Sequence, residues 1–248
     1  MRDAAGLKKT GEVGGGSTVT LSLGTRRVVS PSTWRTNFTV SGAPQHVLND
    51  SCQLLTSCSP GREDRGLSKI YLVTGPPGVG KSTLVSKVIR RLKSAGVIVG
   101  GCTTSEVRSG GARTGFGVTD LTTGRTGVLA SVGSRFGPRV GRYRVNLSDL
   151  ASVGAAGLEA AASSSELIVV DEVGPMELVS PDFRRAVRKC VASGKPILAV
   201  AHERLEDDLL NELRAGAEQV FSLTVENRDD ATEALASALL AAAGGPKA

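Results

Sequence analysis

The run Gly75-Pro76-Pro77-Gly78-Val79-Gly80-Lys81-Ser82 restricts what this chain can fold into more than any other feature. It follows an apolar segment, residues 70–74, of the kind that forms a short buried strand. It opens a segment, 82–95, in which Leu84, Val85, Val88, Ile89 and Leu92 recur at helical spacing. A glycine-rich turn between strand and helix that ends in Gly-Lys-Ser reads as a cradle for a triphosphate. The glycines let the backbone turn tightly and aim its N–H groups at phosphate oxygens. Pro76 and Pro77 stiffen the approach, and the positive end of the new helix faces the same anion. In this reading Lys81 neutralises the β/γ oxygens, the Ser82 hydroxyl ligates Mg²⁺, and Thr83 stands near the α-phosphate.

The second half of such a site is expected at Leu167-Ile168-Val169-Val170-Asp171-Glu172, an apolar strand ending in acid. Its end brings two carboxylates to the sheet edge beside the loop, with Val173, Gly174 and Pro175 continuing the segment. Asp171 is the candidate for holding the Mg²⁺ shell, and Glu172 for orienting or deprotonating an attacking water. A cap after a strand would account for either acid alone.

Apolar runs alternate with amphipathic stretches from Lys69 onward. Strands are expected at 70–74, 97–103, 166–171, 196–201 and 219–224, with helices over 82–95 and 148–162 and after each of the last three strands. Ser180-Pro181-Asp182 supplies an N-cap, a first-turn proline and a dipole-favoured acid, and Gly194 a stop. Repeated strand–helix alternation predicts an α/β fold, a mainly parallel sheet covered by helices on both faces. Residues 115–121 and 127–132 flank a turn at 122–125 and read as an inserted β-hairpin or lid.

Residues 1–68 read differently. They carry Gly14-Gly15-Gly16, many hydroxyl side chains and no sustained periodicity, the composition of a disordered extension. No acid falls between Val13 and Asn49, while Arg26, Arg27 and Arg35 do, which also suits an organelle transit peptide. The domain proper is therefore drawn at 69–248. Of the formal charge of +6, nine basic and five acidic residues lie in 1–69, leaving 21 and 19 beyond. The folded part is thus close to neutral, which argues against bulk attraction for nucleic acid. Cys52, Cys58, Cys102 and Cys190 form no metal or disulfide pattern, and no apolar run is long enough to span a bilayer. A soluble, intracellular monomer is expected, cytoplasmic or organellar. The triplets at Asn37, Asn49 and Asn146 are chance matches to a glycosylation pattern in such a chain.

Five blocks together resemble the small P-loop nucleoside-triphosphatases first described from thermophiles, the family of the cancer-related nucleoside-triphosphatase. They are 74–84 around Lys81, Glu106-Val107-Arg108-Ser109-Gly110-Gly111-Ala112-Arg113-Thr114-Gly115-Phe116, Val140-Gly141-Arg142-Tyr143-Arg144-Val145, Asp171-Glu172-Val173-Gly174-Pro175-Met176-Glu177-Leu178, and Thr224-Val225-Glu226-Asn227-Arg228-Asp229. The resemblance implies Mg²⁺-dependent hydrolysis of ATP, GTP and other triphosphates with loose base selectivity. The chain departs from it at Ser105 and Gly117, where the family usually carries acids.

Seven arginines fall between Val107 and Ser148 against one acid, Asp120. Arg113 and Arg142, inside the family-like blocks, are the candidates for stabilising charge on the γ-phosphate; a solvated basic surface is the plainer account of any one of them. His202, just past a strand, could sense the same phosphate or be an ordinary loop histidine. Asn227 and Asp229 read as helix caps. No Asn-Lys-x-Asp guanine-reading tetrad occurs. Two other functions share the cradle: a nucleotide or nucleoside kinase, and a nucleotide-gated RNA-binding module.

Overall fold

The computed structural model describes residues 10–13, 17–20 and 68–245. The chain divides into two units between Pro60 and Gly61. In the first, β1 (Thr10–Val13) and β2 (Ser17–Thr20) pair antiparallel with Thr10 opposite Thr20. Ser68, at the end of the expected extension, is buried and donates from Oγ to the Cys190 carbonyl at 3.2 Å; the rest of that extension and transit peptide lies outside the described residues, as do Cys52, Cys58, Asn37 and Asn49.

The second unit is built on a nine-stranded sheet. Its strands are β3 (Ile70–Thr74), β4 (Val99–Ser109), β5 (Ala112–Asp120), β6 (Thr126–Ser131), β7 (Arg139–Val140), β8 (Tyr143–Val145), β9 (Leu167–Val173), β10 (Ile197–Ala201) and β11 (Ala217–Ser222). The order is β11-β3-β10-β9-β4-β5-β6-β8-β7. From β11 to β4 neighbours are parallel, and from β4 to β7 they are antiparallel.

The parallel strands carry Val, Ile, Leu and Ala on both faces because both faces are covered. Ile70, Leu72, Ile168, Val170, Ile197 and Ala199 point to one side, toward α3 (Ala156–Ser164), α4 (Pro181–Val191) and α5 (Asp208–Ala215). Tyr71, Val73, Val169, Leu198 and Val200 point to the other, toward α1 (Lys81–Ser94) and α6 (Arg228–Ala242). The helices present the stripes expected from their spacing: Leu84, Val85, Val88, Ile89 and Leu92 are the buried residues of α1. Each such side chain, fully buried, contributes about 1.5–3 kcal/mol relative to exposure. Helix α4 starts as its sequence predicts, with Ser180 Oγ accepting from the N–H of Phe183 at 3.2 Å.

The expected inserted hairpin is present as β5 and β6, paired antiparallel with Thr119 opposite Thr126 around the turn at 122–125. Two element bounds differ from expectation. β4 runs on through Ser109, six residues beyond the expected end at 103, and turns at Gly110-Gly111 into β5. The half of β4 from Ser105 onward is exposed, so its sequence lacks the apolar signal that marks the buried half. The helix expected over 148–162 comprises α2 (Leu147–Asp149), a π-helical turn over Leu150–Ala155, and α3. Among the described residues no helix is long and apolar enough to cross a membrane.

Candidate active site

In an open sheet the C-terminal ends of the parallel strands form the rim on which loops can gather around a ligand. Here the loop after β3, the segment after β9 and the loop after β10 line one cavity of about 960 Å³, bounded on the remaining side by the β4–β5 hairpin. The two stretches on which the sequence argument depended therefore meet. Gly75, Pro77, Gly78, Gly80, Lys81, Ser82 and Thr83 contribute from the first, and Glu172, Gly174 and Pro175 from the second.

The cradle has the form its residues require. Gly75, Gly78 and Gly80 have φ of +146°, +79° and +107°, a region that side-chain-bearing residues rarely adopt. Helix α1 begins without a capping side chain and without an acid in its first turn, leaving its first N–H groups to an anion. Lys81 Nζ donates to the carbonyl oxygens of Gly75 at 2.8 Å and Pro76 at 3.2 Å, so the ammonium group is folded back over its own loop. Val79 is buried in the core beneath the loop, together with Leu84 of α1, and anchors it.

Asp171 is 2% exposed and its Oδ1 has no hydrogen-bond partner. Burial pushes its carboxyl up to about 7, the charge of Glu172 adds to the rise, and the Lys81 ammonium opposes it. Asp171 is not itself among the lining residues, but an unpartnered buried carboxylate oxygen near the Lys81 ammonium is a fitting ligand for a hard cation. Among the described residues no cluster of three or more His, Cys, Asp or Glu could hold a metal by itself. Mg²⁺ is commonly held by one or two protein oxygens together with substrate phosphates.

The other expected site residues divide. Ile168, Val169, Val170 and Val173 are buried in the sheet; they carry Asp171 and Glu172 to the rim without lining the cavity. Arg113, on β5, does line it. Its Nη2 pairs with Glu106 Oε1 at 2.9 Å, and its guanidinium lies 5.6 Å from the Phe116 ring centre. Arg142 is not among the lining residues: its Nη2 donates to the Arg113 carbonyl at 2.7 Å and to the Tyr143 hydroxyl at 3.1 Å. His202 lines the cavity. Asn227 stands at the N-cap of α6 but does not cap it; its Oδ1 accepts from the N–H of Thr224 at 2.8 Å, bracing the turn after β11.

One further residue had not been singled out. Glu177 is 5% exposed, lines the cavity, and accepts from the Gly174 N–H at 3.1 Å through Oε2. In the sequence it is an acid with apolar flanks, within Pro-Met-Glu-Leu-Val, in the same family-like block as Asp171 and Glu172.

Comparison with known proteins agrees with this geometry. A sequence model of the family described as NTPase matches residues 70–236. The nucleoside-triphosphatase THEP1 of Thermofilum pendens is 48% identical over 164 residues, covering 65% of this chain and 90% of that protein. The THEP1 of Methanosarcina acetivorans is 44% identical over 169 residues, covering 68% and 95%. Among solved structures, THEP1 from the hyperthermophile Aquifex aeolicus superposes with a TM-score of 0.61 at 32% identity, covering 68% of this chain and 98% of that one. A human cancer-related nucleoside triphosphatase gives a TM-score of 0.60 at 35% identity, covering 70% and 98%. A match running from β3 into α6, over both the 75–82 loop and the end of β9, places the chain in the NTPase family, to which it belongs.

Proposed function

We propose that the chain hydrolyses nucleoside 5′-triphosphates, ATP and GTP among them, to the diphosphate and inorganic phosphate in a Mg²⁺-dependent reaction. The observation that carries this reading is the single cavity in which Lys81 and Ser82 face Glu172. The relatives' name, nucleoside-triphosphatase, supports it. Broad base selectivity is supported by the lack of a guanine-reading tetrad in the sequence.

The backbone amides of 75–82 hold the phosphate chain, and Lys81 turns from the Gly75 and Pro76 carbonyls to the β/γ oxygens when substrate enters. Ser82 and Asp171 would hold Mg²⁺, which when bound neutralises charge on those oxygens. Glu172 takes a proton from a water whose oxygen bonds to the γ-phosphorus while the bridging P–O bond to the β-phosphate breaks. The electron pair leaves with the diphosphate, and Glu172 returns its proton to the products. Arg113 releases Glu106 and stabilises charge on the γ-phosphate; Arg142, through the Arg113 carbonyl, positions it.

The test is phosphate release from ATP, GTP, CTP and UTP by the full chain, with and without Mg²⁺ and with no phosphoryl acceptor. Release from several of the four is expected with the metal and not without it. Lys81→Ala should abolish hydrolysis and weaken binding. Glu172→Gln should keep nucleotide affinity and lose about 10²–10⁴-fold in turnover. Turnover that appears only when a nucleoside or nucleotide acceptor is added would make the protein a kinase instead.

A further inference from the structure

The loop after β10 is held in place by unusual means. Arg214 of α5 directs Nη2 to three of its carbonyl oxygens, those of His202 at 3.0 Å, Glu203 at 3.3 Å and Leu205 at 3.1 Å. Its Nη1 donates to Asn211 Oδ1 at 3.1 Å, which holds the guanidinium itself. The N–H of His202 donates to the Val173 carbonyl at 3.2 Å, so the loop is also joined to the strand that ends in Asp171, Glu172 and Val173.

The imidazole is oriented as well as the backbone. His202 Nδ1 accepts from the Arg204 N–H at 3.4 Å. A neutral imidazole that accepts at Nδ1 carries its proton on Nε2. Among the described residues Nε2 has no partner, and the side chain lines the cavity shared by Lys81, Ser82 and Glu172. Strand order explains why this matters. β10 lies between β3 and β9, so the residue that follows β10 stands between the phosphate loop and the acid pair. The terminal phosphate of a substrate gripped by the loop and attacked by water at Glu172 has to occupy that interval.

We propose that His202 donates a hydrogen bond from Nε2 to the terminal phosphate of a bound triphosphate, and that Arg214 is the positioning residue that sets the 202–205 loop for it. The proposal rests on the triphosphatase reading and adds to it a group that distinguishes substrate from product. After hydrolysis and phosphate release, the diphosphate offers His202 nothing to bind, while the amides of 75–82 and Lys81 still hold it.

The experiment is calorimetric titration of the full chain with a non-hydrolysable triphosphate analogue and, separately, with the corresponding diphosphate. His202→Ala should lose about 10- to 100-fold in affinity for the triphosphate analogue, the worth of one hydrogen bond to a charged group, and nothing for the diphosphate. His202→Gln, whose amide nitrogen reaches the place of Nε2, should restore the preference. His202→Asn, which reaches only the place of Nδ1, should not. Arg214→Ala should reproduce the selective loss; if it fails to fold, the three histidine variants decide the question. Equal losses for both nucleotides in His202→Ala, no loss at all, or equal behaviour of the Gln and Asn variants would overturn the proposal. Lys81→Ala separates its failure from failure of the cradle, since undiminished binding of both nucleotides in that variant would remove the site on which the proposal stands.

Discussion

Glu177 lies beside Glu172 in a place with little water, and burial pushes its carboxyl up to about 8. The charges of Glu172 and Asp171 add to the rise, while its own N–H and that of Gly174 hold it back. Its ordinary value is 4.5, so the folded chain binds this proton more tightly than the unfolded one does. The stability linked to it is fully present below about pH 4.5 and is lost as pH rises through about 8. Glu177→Gln keeps an acceptor for the Gly174 N–H and removes the titration. The urea midpoint of that variant should therefore fall less between about pH 5 and about pH 9 than that of the parent chain. A residual fall is expected, because Asp171 is raised in the same direction. Parallel profiles for the two proteins would show that Glu177 is ionised in the folded state at neutral pH.

The β4–β5 hairpin and the β7–β8 hairpin divide the work of the arginine-rich region between them. Strand β5 carries Arg113 and Phe116, and the segment around β8 carries Arg142 and Tyr143. The two aromatic rings meet edge to face at 5.1 Å, and the Arg142 guanidinium lies 5.2 Å from the Tyr143 ring centre. Four side chains thus lock one element to the other, with only Arg113 of the two arginines reaching the cavity. In the proposed mechanism Arg113 meets the phosphate and Arg142 braces it, so removing Arg113 should cost more. Arg113→Ala is expected to lower kcat by about 10³-fold and Arg142→Ala by roughly tenfold, with the double variant close to Arg113→Ala alone. Steady-state kinetics of the three proteins checks this, and a larger effect from Arg142→Ala would reverse the assignment.

At the scale of the whole molecule, the parallel half of the sheet carries the phosphate loop and the acids, and the antiparallel half closes the cavity. β4 belongs to both, pairing with β9 through Val99–Thr103 and with β5 from Cys102 onward. Close approach at Gly101 permits this. Its φ is +108°, and a Cβ there would sit 2.1 Å from the Val169 carbonyl oxygen, a backbone atom that cannot step aside. Gly101→Ala should therefore cost about 3 kcal/mol or more in urea unfolding, strain and overpacking combined. The cost should exceed that of Gly110→Ala at the exposed β4–β5 turn, where nothing lies within 4 Å. Equal costs would place the penalty in the backbone angle alone.

What the amino-acid sequence by itself determined is local. A strand, a glycine-rich turn and a helix are consecutive, and their chemistry is written in the residues that form them; hence β3, Lys81 and Ser82, the Ser180 cap and the acids at the end of β9 were legible from spacing and residue type. The tertiary structure decided what depends on distant stretches. It set which strand stands between β3 and β9, and so what His202 faces. It also set which arginine lines the cavity, how far β4 runs once β5 pairs with its exposed half, and that Glu177 is buried. These follow from strand pairing and desolvation, which are properties of neighbours brought together by the fold, and no window of sequence contains them.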